Sequence, residues 1–241
     1  MPVELNALES ARFGLIAGRV RDAHASPAAI NAAARELNVQ FLTARIECAD
    51  HSRIHAAEAD GFRMMDTIVY YERSLSDRLP ELSQASDIAI RQACHEDAPA
   101  VANIAQAAFS NYLGHFHADP RLDRRGADAA YVDWAQRSVT RQSNDEQARV
   151  ALCAGSLAGF LTLRRNGRSE FEIVLNAVHP DLQRRGLYQQ LLQDALLTGR
   201  EAGAERMIVS TQLNNFPVQR AWTKLGFRLF SAFHTFHKWY F

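Results

Sequence analysis

Lysine is nearly absent from this chain of 241 residues: only Lys224 and Lys238 interrupt a positive charge otherwise carried by arginine. The 27 basic and 27 acidic side chains cancel and are interspersed. No basic stripe of the kind that tracks a phosphate backbone is present, so nucleic acid is not an expected partner. Cysteine is scarce too. Cys48, Cys94 and Cys153 stand far apart, in neither CxxC nor metal-ligand spacing, which suits a reducing compartment and implies neither a disulfide framework nor a metal site. Long apolar runs are missing, since none approaches the roughly 18–20 residues that cross a bilayer. The opening MPVELNALESARFG has an early Glu and no apolar stretch like that of a signal peptide, so a cytoplasmic protein away from membranes is expected. There is no Walker A run and no GxGxxG, and GSLAG (155–159) places its Ser second, so no hydrolase elbow is implied.

What is present is an ordinary globular composition, 47% apolar and 22% charged, on a chain long enough to bury one large core or two small ones. Within it lies a gapless self-similarity at an offset of 165 residues. RELNVQFLTARIECADHSRIHAAEADGFRMMDTIVYYE (35–72) and REAGAERMIVSTQLNNFPVQRAWTKLGFRLFSAFHTFH (200–237) share the opening Arg-Glu and a Gly-Phe-Arg, at Gly61-Phe62-Arg63 and Gly226-Phe227-Arg228. Both read as helix end, apolar strand, polar turn, short helix, Gly-Phe and an aromatic strand, with the Gly where a helix C-terminus needs positive φ. Long-range self-similarity points to duplicated supersecondary structure.

More material precedes the second copy. DIAIRQAC (87–94) reads as a strand, His95-Glu96-Asp97 leads into a helix reaching Phe109 with Pro99 in its first turn, and 126–140 reads as a further helix. RVALCAGSLAGFLTLRR (149–165) reads as a hairpin, FEIVLNAV as a strand buried on both faces, and 187–203 as an amphipathic helix ended by Gly203. The expected fold class is α/β with a mixed sheet: a partial unit over 1–80, then a complete unit over 85–241 reading β-α-α-β-β-β-α-β-α-β-β. The polar stretch 74–87 is the expected linker.

The sharpest signal is QRRGLY, residues Gln183 to Tyr188, between a buried strand and a helix. The first N–H groups of a helix lack partners and carry partial positive charge, which makes an anion site. Gly186 lets an anion approach the backbone, and Arg184 and Arg185 add charge. The hexapeptide resembles the acyl-CoA signature of the GNAT N-acetyltransferase superfamily, Q/R-x-x-G-x-G/A. The resemblance implies an acetyl-CoA-dependent enzyme whose pyrophosphate meets Gln183, Arg184, Arg185, Gly186, Leu187 and Tyr188, although Tyr188 replaces a small residue. It also implies a strand splayed from its neighbour, so that N–H groups near Ala177 and Val178 hold the pantetheine and polarise the thioester.

Two further stretches extend the likeness. Glu172 lies eleven residues before Gln183, as does the general-base Glu in the histone-acetylating branch. A carboxylate in an apolar strand is expected to have a raised pKa, and strand alternation places Glu172, Val174, Asn176 and Val178 on one face. Glu172 and Asn176 are therefore candidate catalytic residues, a solvated Glu at a frayed strand start being the alternative. STQLNNFPVQRAWTKLGF (210–227) resembles the later superfamily motif, with Asn215 facing the CoA arm. Trp222 stands where many members carry a Tyr that protonates the leaving thiolate. Indole is no practical acid, so another group, water or no group takes that role, and Trp222 reads as an aromatic beside the CoA channel. His234 and His237 point to opposite strand faces and suit joint metal ligation poorly. Each is either structural or an acid–base group, and His115 and His117 either line an acceptor pocket or sit in a solvated loop.

A partial unit before a complete one resembles the dTDP-amino-sugar (dTDP-fucosamine) branch. That resemblance implies direct acetyl transfer to a small-molecule amine, a nucleotide-linked deoxyamino sugar, with no metal and with possible homodimerisation. The alternatives are an acetyltransferase for a peptide N-terminus, polyamine or antibiotic, and a non-catalytic acyl-CoA-binding module.

Overall fold

Apolar alternation and β-branched runs set the strands, and Gly, Pro and polar caps end the helices. The computed structural model describes residues 1–22, 24–79 and 87–240. Among these the strands are β1 (Val3–Leu5), β2 (Ala17–Val20), β3 (Phe41–Glu47), β4 (Arg63–Ser74), β5 (Ile88–Gln92), β6 (Glu146–Cys153), β7 (Ser156–Arg165), β8 (Glu170–Val178), β9 (Arg206–Gln212) and β10 (Arg228–Trp239). The α-helices are α1 (Ala7–Phe13), α2 (Pro27–Glu36), α3 (His51–Ala59), α4 (Ala98–Phe109), α5 (His115–Ala118), α6 (Arg124–Thr140), α7 (Leu187–Glu201) and α8 (Phe216–Lys224). All ten strands join one mixed sheet in the order β1-β2-β3-β10-β4-β9-β8-β7-β6-β5. Residues 80–86 of the expected linker lie outside the described residues.

The repeat is present in three dimensions. Adding 165 to the bounds of β3, α3 and β4 gives those of β9, α8 and β10. Gly61 and Gly226 both follow a helix with φ of 82° and 84°, a conformation that L side chains rarely adopt. β10 lies between β3 and β4, antiparallel to both, while β4 pairs with β9. The order β3-β10-β4-β9 is therefore unchanged when the copies are exchanged, which defines a pseudo-twofold between β10 and β4. Each copy places its last strand inside the other's sheet.

The exchange is tied at both ends. Arg73, at the end of β4, donates through Nη1 to the Leu225 carbonyl at the C-terminus of α8. Its counterpart Lys238, at the end of β10, donates to the Asp60 carbonyl at the C-terminus of α3, at 2.6 Å. A cation there satisfies a carbonyl with no helical partner and meets the negative end of the dipole.

Helices cover both faces of the sheet. Leu191, Leu192, Ala195 and Leu196 of α7 pack with Trp222 of α8 over β7, β8 and β9, and Ile30, Ala33 and Ala34 of α2 pack with Phe62 and Phe236. On the opposite face α4 and α6 lie over Val150, Phe160, Leu175 and Ala177, and Phe116 of α5 meets Phe41. Two expectations need correction. The paired terminal strands are one strand, β10, whose pairing with β4 is irregular at Leu229/Ser231 and Thr235/Phe236. The loop holding His115 and His117 contains the single turn α5, too short to leave a periodic signal.

Candidate active site

The site begins where β8 and β9 part. They pair in parallel only from Glu170–Ile173 against Arg206–Val209, yet β8 runs on to Val178 and β9 to Gln212. A wedge opens between them. The His179 N–H donates to the Ala158 carbonyl, so alternation along the β7–β8 ladder turns the N–H groups of Val178 and Asn176 into the wedge. Ala177, expected at the thioester, directs its N–H to β7 instead, and Asn176 supplies the second wedge-facing N–H.

A bulge corrects a second expectation. The β7–β8 register shifts between Thr162/Leu175 and Leu163/Ile173, leaving Val174 unpaired. An extra residue reverses the alternation. Phe171 and Ile173 accordingly pack towards α7, while Leu175 and Ala177 pack towards α4 and α6. Glu172, opposite Arg164, and Asn176, opposite Leu161, therefore lie on opposite faces. The Glu172 carboxylate is not alone in an apolar strand either: Oε2 accepts from Arg164 Nη2 at 2.6 Å and from Asn166 Nδ2 at 2.9 Å.

The Gly186 turn follows β8. A 3-10 turn at Pro180–Leu182 precedes Gln183, Arg184 has φ of 65°, and Gly186 caps α7 with φ of 85°. No side chain caps this helix, so the first-turn N–H groups remain available. A Cβ on Gly186 would meet nothing within 4 Å. Glycine is demanded by the dihedral, and the space in front of it is open. Leu187, 1% exposed, anchors the turn in the core.

Two departures from the signature meet in space. The Trp222 indole Nε1 donates to the Tyr188 hydroxyl at 2.8 Å, and Trp222 is almost wholly buried with its ring 5.5 Å from that of Tyr71. Burial pushes the Tyr188 phenol well above its usual range, opposed by the bond from Trp222. Asn215 begins α8 without capping it and donates through Nδ2 to Thr211 Oγ1 at 3.0 Å.

One cleft of about 1470 Å³ joins these groups: Glu172, Asn176, Gly186, Tyr188, Asn215 and Trp222 all line it. Its far end is built by the first half, which sequence reasoning assigned no site residue. There it holds Arg12, Arg19, Arg45 and Glu9 beside Tyr112 and His115. Arg12 pairs with Asp133 and Arg19 with Glu4, whereas Arg45 donates to the Tyr70 hydroxyl at 3.1 Å. Burial raises the Glu9 pKa to about 7, against the pull of Arg12, Arg19 and Arg45, and its Oε2 has no hydrogen-bond partner.

Of the four histidines, only His115 and His237 meet. His234 Nδ1 meets Thr67 Oγ1 at 2.9 Å, and His117 Nε2 meets Asp128 at 3.0 Å. His237, with no exposed surface, lies between Asp119 and His115. No pattern in the sequence announces that contact, because it spans 122 residues and follows from where β10 enters the sheet. Among the described residues no group of three or more His, Cys, Asp or Glu is placed to hold a metal, and no helix is long and apolar enough to cross a membrane.

Solved structures share this arrangement along nearly the whole chain. A GCN5-related N-acetyltransferase from Sphaerobacter thermophilus has a TM-score of 0.67 at 13% identity, covering 98% of this chain and 76% of its own. One from Kribbella flavida has a TM-score of 0.66 at 14% identity, covering 92% and 81%. A tandem GNAT protein from the clavulanic acid biosynthesis pathway has a TM-score of 0.61 at 16% identity, covering 92% and 75%. These likenesses define the fold as GNAT-type. The model of the acetyltransferase (GNAT) family matches residues 101–227, and the chain belongs to that family. It is an enzyme of the acyltransferase class. No curated protein matches it in sequence.

Proposed function

We propose that the protein moves an acetyl group from acetyl-CoA to the amine of a small-molecule acceptor by direct attack, as a cytoplasmic enzyme. The observation that carries this reading is the uncapped start of α7 behind Gly186, opening onto the wedge between β8 and β9. The open space before Gly186 and the free first-turn N–H groups fit a pyrophosphate. Arg184 and Arg185 supply counter-charge, and Asn215 faces the arm of the donor. Acetyl-CoA supplies the activated thioester. The Asn176 and Val178 N–H groups receive the carbonyl oxygen as negative charge grows on it. Tyr188 takes over the role left open at Trp222: the indole donates to its oxygen, and the phenolic proton is free for the departing sulfur. Glu172, held by Arg164 and Asn166 on the face away from Asn176, anchors Arg164 at the cleft wall rather than taking the amine's proton.

The acceptor end of the cleft, with Arg12, Arg19 and Arg45 facing Glu9, favours an amine that also carries an anion. A nucleotide-linked deoxyamino sugar meets that requirement better than a polyamine. Acceptor-dependent CoA release from acetyl-CoA tests both levels, with dTDP-4-amino-4,6-dideoxysugars, ethanolamine, spermidine and short peptides as probes. Turnover with the nucleotide sugars far above that with the simpler amines supports the finer reading, and turnover only with other amines sinks it. CoA binding without turnover across the panel favours the non-catalytic module.

A further inference from the structure

Asp119 has no exposed surface on its side chain and accepts from donors that cannot act otherwise. Its Oδ1 takes the backbone N–H of Arg121 at 3.1 Å, and its Oδ2 takes the Trp239 indole Nε1 at 2.8 Å. His237 Nδ1 lies 3.0 Å from the same Oδ2 and must donate to it. A neutral imidazole that donates from Nδ1 has a bare Nε2. That Nε2 lies 2.8 Å from His115 Nδ1, which must in turn donate. Two tautomers are thereby fixed in series, and the open lone pair is passed along to His115 Nε2. Among the described residues no protein group fills that position, and His115 lines the cleft. A histidine pair serving packing alone would not need to end on an acceptor without a protein partner on a residue that lines the cleft.

The last ring is also held in place. A Cβ on Gly114 would lie 2.6 Å from the Tyr131 hydroxyl and 3.7 Å from Gln212 Nε2. Glycine lets the backbone before His115 sit this close to the Tyr131 hydroxyl of α6, where a Cβ would displace the ring.

We infer that Asp119, His237 and His115 form a proton relay in which His115 Nε2 is the base that deprotonates the acceptor ammonium. The inference rests on the acetyl-transfer reading. The ammonium gives one proton to His115 Nε2, and the Asp119 carboxylate, linked through His237, offsets the charge. The freed amine forms the C–N bond as the C–S bond breaks. The departing sulfur takes the Tyr188 proton, the amine's second proton restores that phenol, and His115 returns the first to water.

The electrostatics agree. Burial works against charge on Asp119, yet bonds from His237, Trp239 and Arg121 hold its carboxyl well below the usual range. Burial, then His237, Arg45 of β3 and His117, hold His115 well below the ordinary histidine range. Burial lowers His237 too, opposed by Asp119 and by Asp66 of β4 and assisted by Arg121. Both rings are therefore neutral at pH 7, as the series of donors and acceptors from Asp119 requires.

The test compares acetyl transfer to ethanolamine, an ammonium at neutral pH, with transfer to methoxyamine, which is already unprotonated. His115→Asn keeps a donor towards His237 but removes the base. It is expected to slow the ethanolamine reaction by about 10²–10³-fold and the methoxyamine reaction by only a few-fold, with Asp119→Asn giving the same split at roughly tenfold. Equal losses on both amines, or none, overturn the relay while leaving acetyl transfer standing. Inactivity of the parent protein on both amines and the wider panel overturns acetyl transfer and the relay with it. Nitrogen NMR of the imidazoles in the intact protein reads the tautomers without turnover: a bare His115 Nε2 at pH 7 is expected, and a protonated one overturns the inference.

Discussion

Residues 27–74 and 192–239 are the same supersecondary structure used twice, and only the second is preceded by an uncapped glycine turn that opens onto the wedge. α2 begins at Pro27, the counterpart of Leu192, so the first five residues of α7 have no equivalent. Ser26 caps α2 by accepting from the Ala29 N–H, whereas Gly186 leaves α7 uncapped. The preceding strand is β2, of four residues, in one half and β8, of nine, in the other. Asp50 spends its side chain capping α3, whereas its counterpart Asn215 leaves α8 uncapped and lines the cleft. Duplication thus preserved the strand exchange and the cation at each helix C-terminus. The first half has a capped helix where the second has the uncapped Gly186 turn, and it forms a wall of the cleft.

Substitutions at paired positions sharpen this contrast, beginning with the largest expected effect. Trp222 and Ala57 are counterparts. Trp222→Ala removes a buried indole and its bond to Tyr188 and is expected to cost about 3–5 kcal/mol in chemical denaturation, while Ala57→Gly costs about 1 kcal/mol. Comparable losses at the two sites would break the view that the second copy carries the heavier core. Next comes Gly186→Val, which has no counterpart in the first half. It is expected to weaken CoA binding by about 100-fold in calorimetry while costing stability only about 1–3 kcal/mol. Unchanged CoA affinity would remove the anion site from this turn.

The interlock is probed by its two cations. Arg73→Met strands the buried Leu225 carbonyl and is expected to cost about 2 kcal/mol; Lys238→Met, at a wetter site, costs about 1 kcal/mol. Equal values would mean that the two C-termini are held alike. The smallest effects are in pH. His115 and His237 are held below 6.5, so the unfolded chain binds more protons as pH falls through that value, and stability declines on the acid side. Glu9, raised to about 7, acts oppositely: its contribution is present below the unfolded value of 4.5 and is lost as pH rises through 7. Glu9→Gln is therefore expected to stabilise the protein at pH 8 by roughly 1 kcal/mol, read from thermal unfolding against pH.

Local signals were legible in the sequence to within a few residues. The repeat, the helix from Leu187, the hairpin around Gly155 and the Gly186 turn depend on nearest-neighbour chemistry: periodicity, positive φ and caps. The expectation that Glu172 and Asn176 share a face went astray for an equally local reason, since the bulge at Val174 depends on how β7 pairs and alternation alone does not encode it. Tyr188 and Trp222 were each visible as departures from a motif. Their hydrogen bond was not, because it joins the starts and ends of two helices 34 residues apart.

The sequence by itself determined the elements, the duplication and the Gly186 turn, because those rest on interactions within a few residues. Tertiary structure decided which strands exchange, which N–H groups face the wedge, and that Asp119, His115 and His237 meet. Those contacts exist only after β10 slides between β3 and β4, and strand order in a sheet is set by the burial of whole faces rather than by any short stretch of chain.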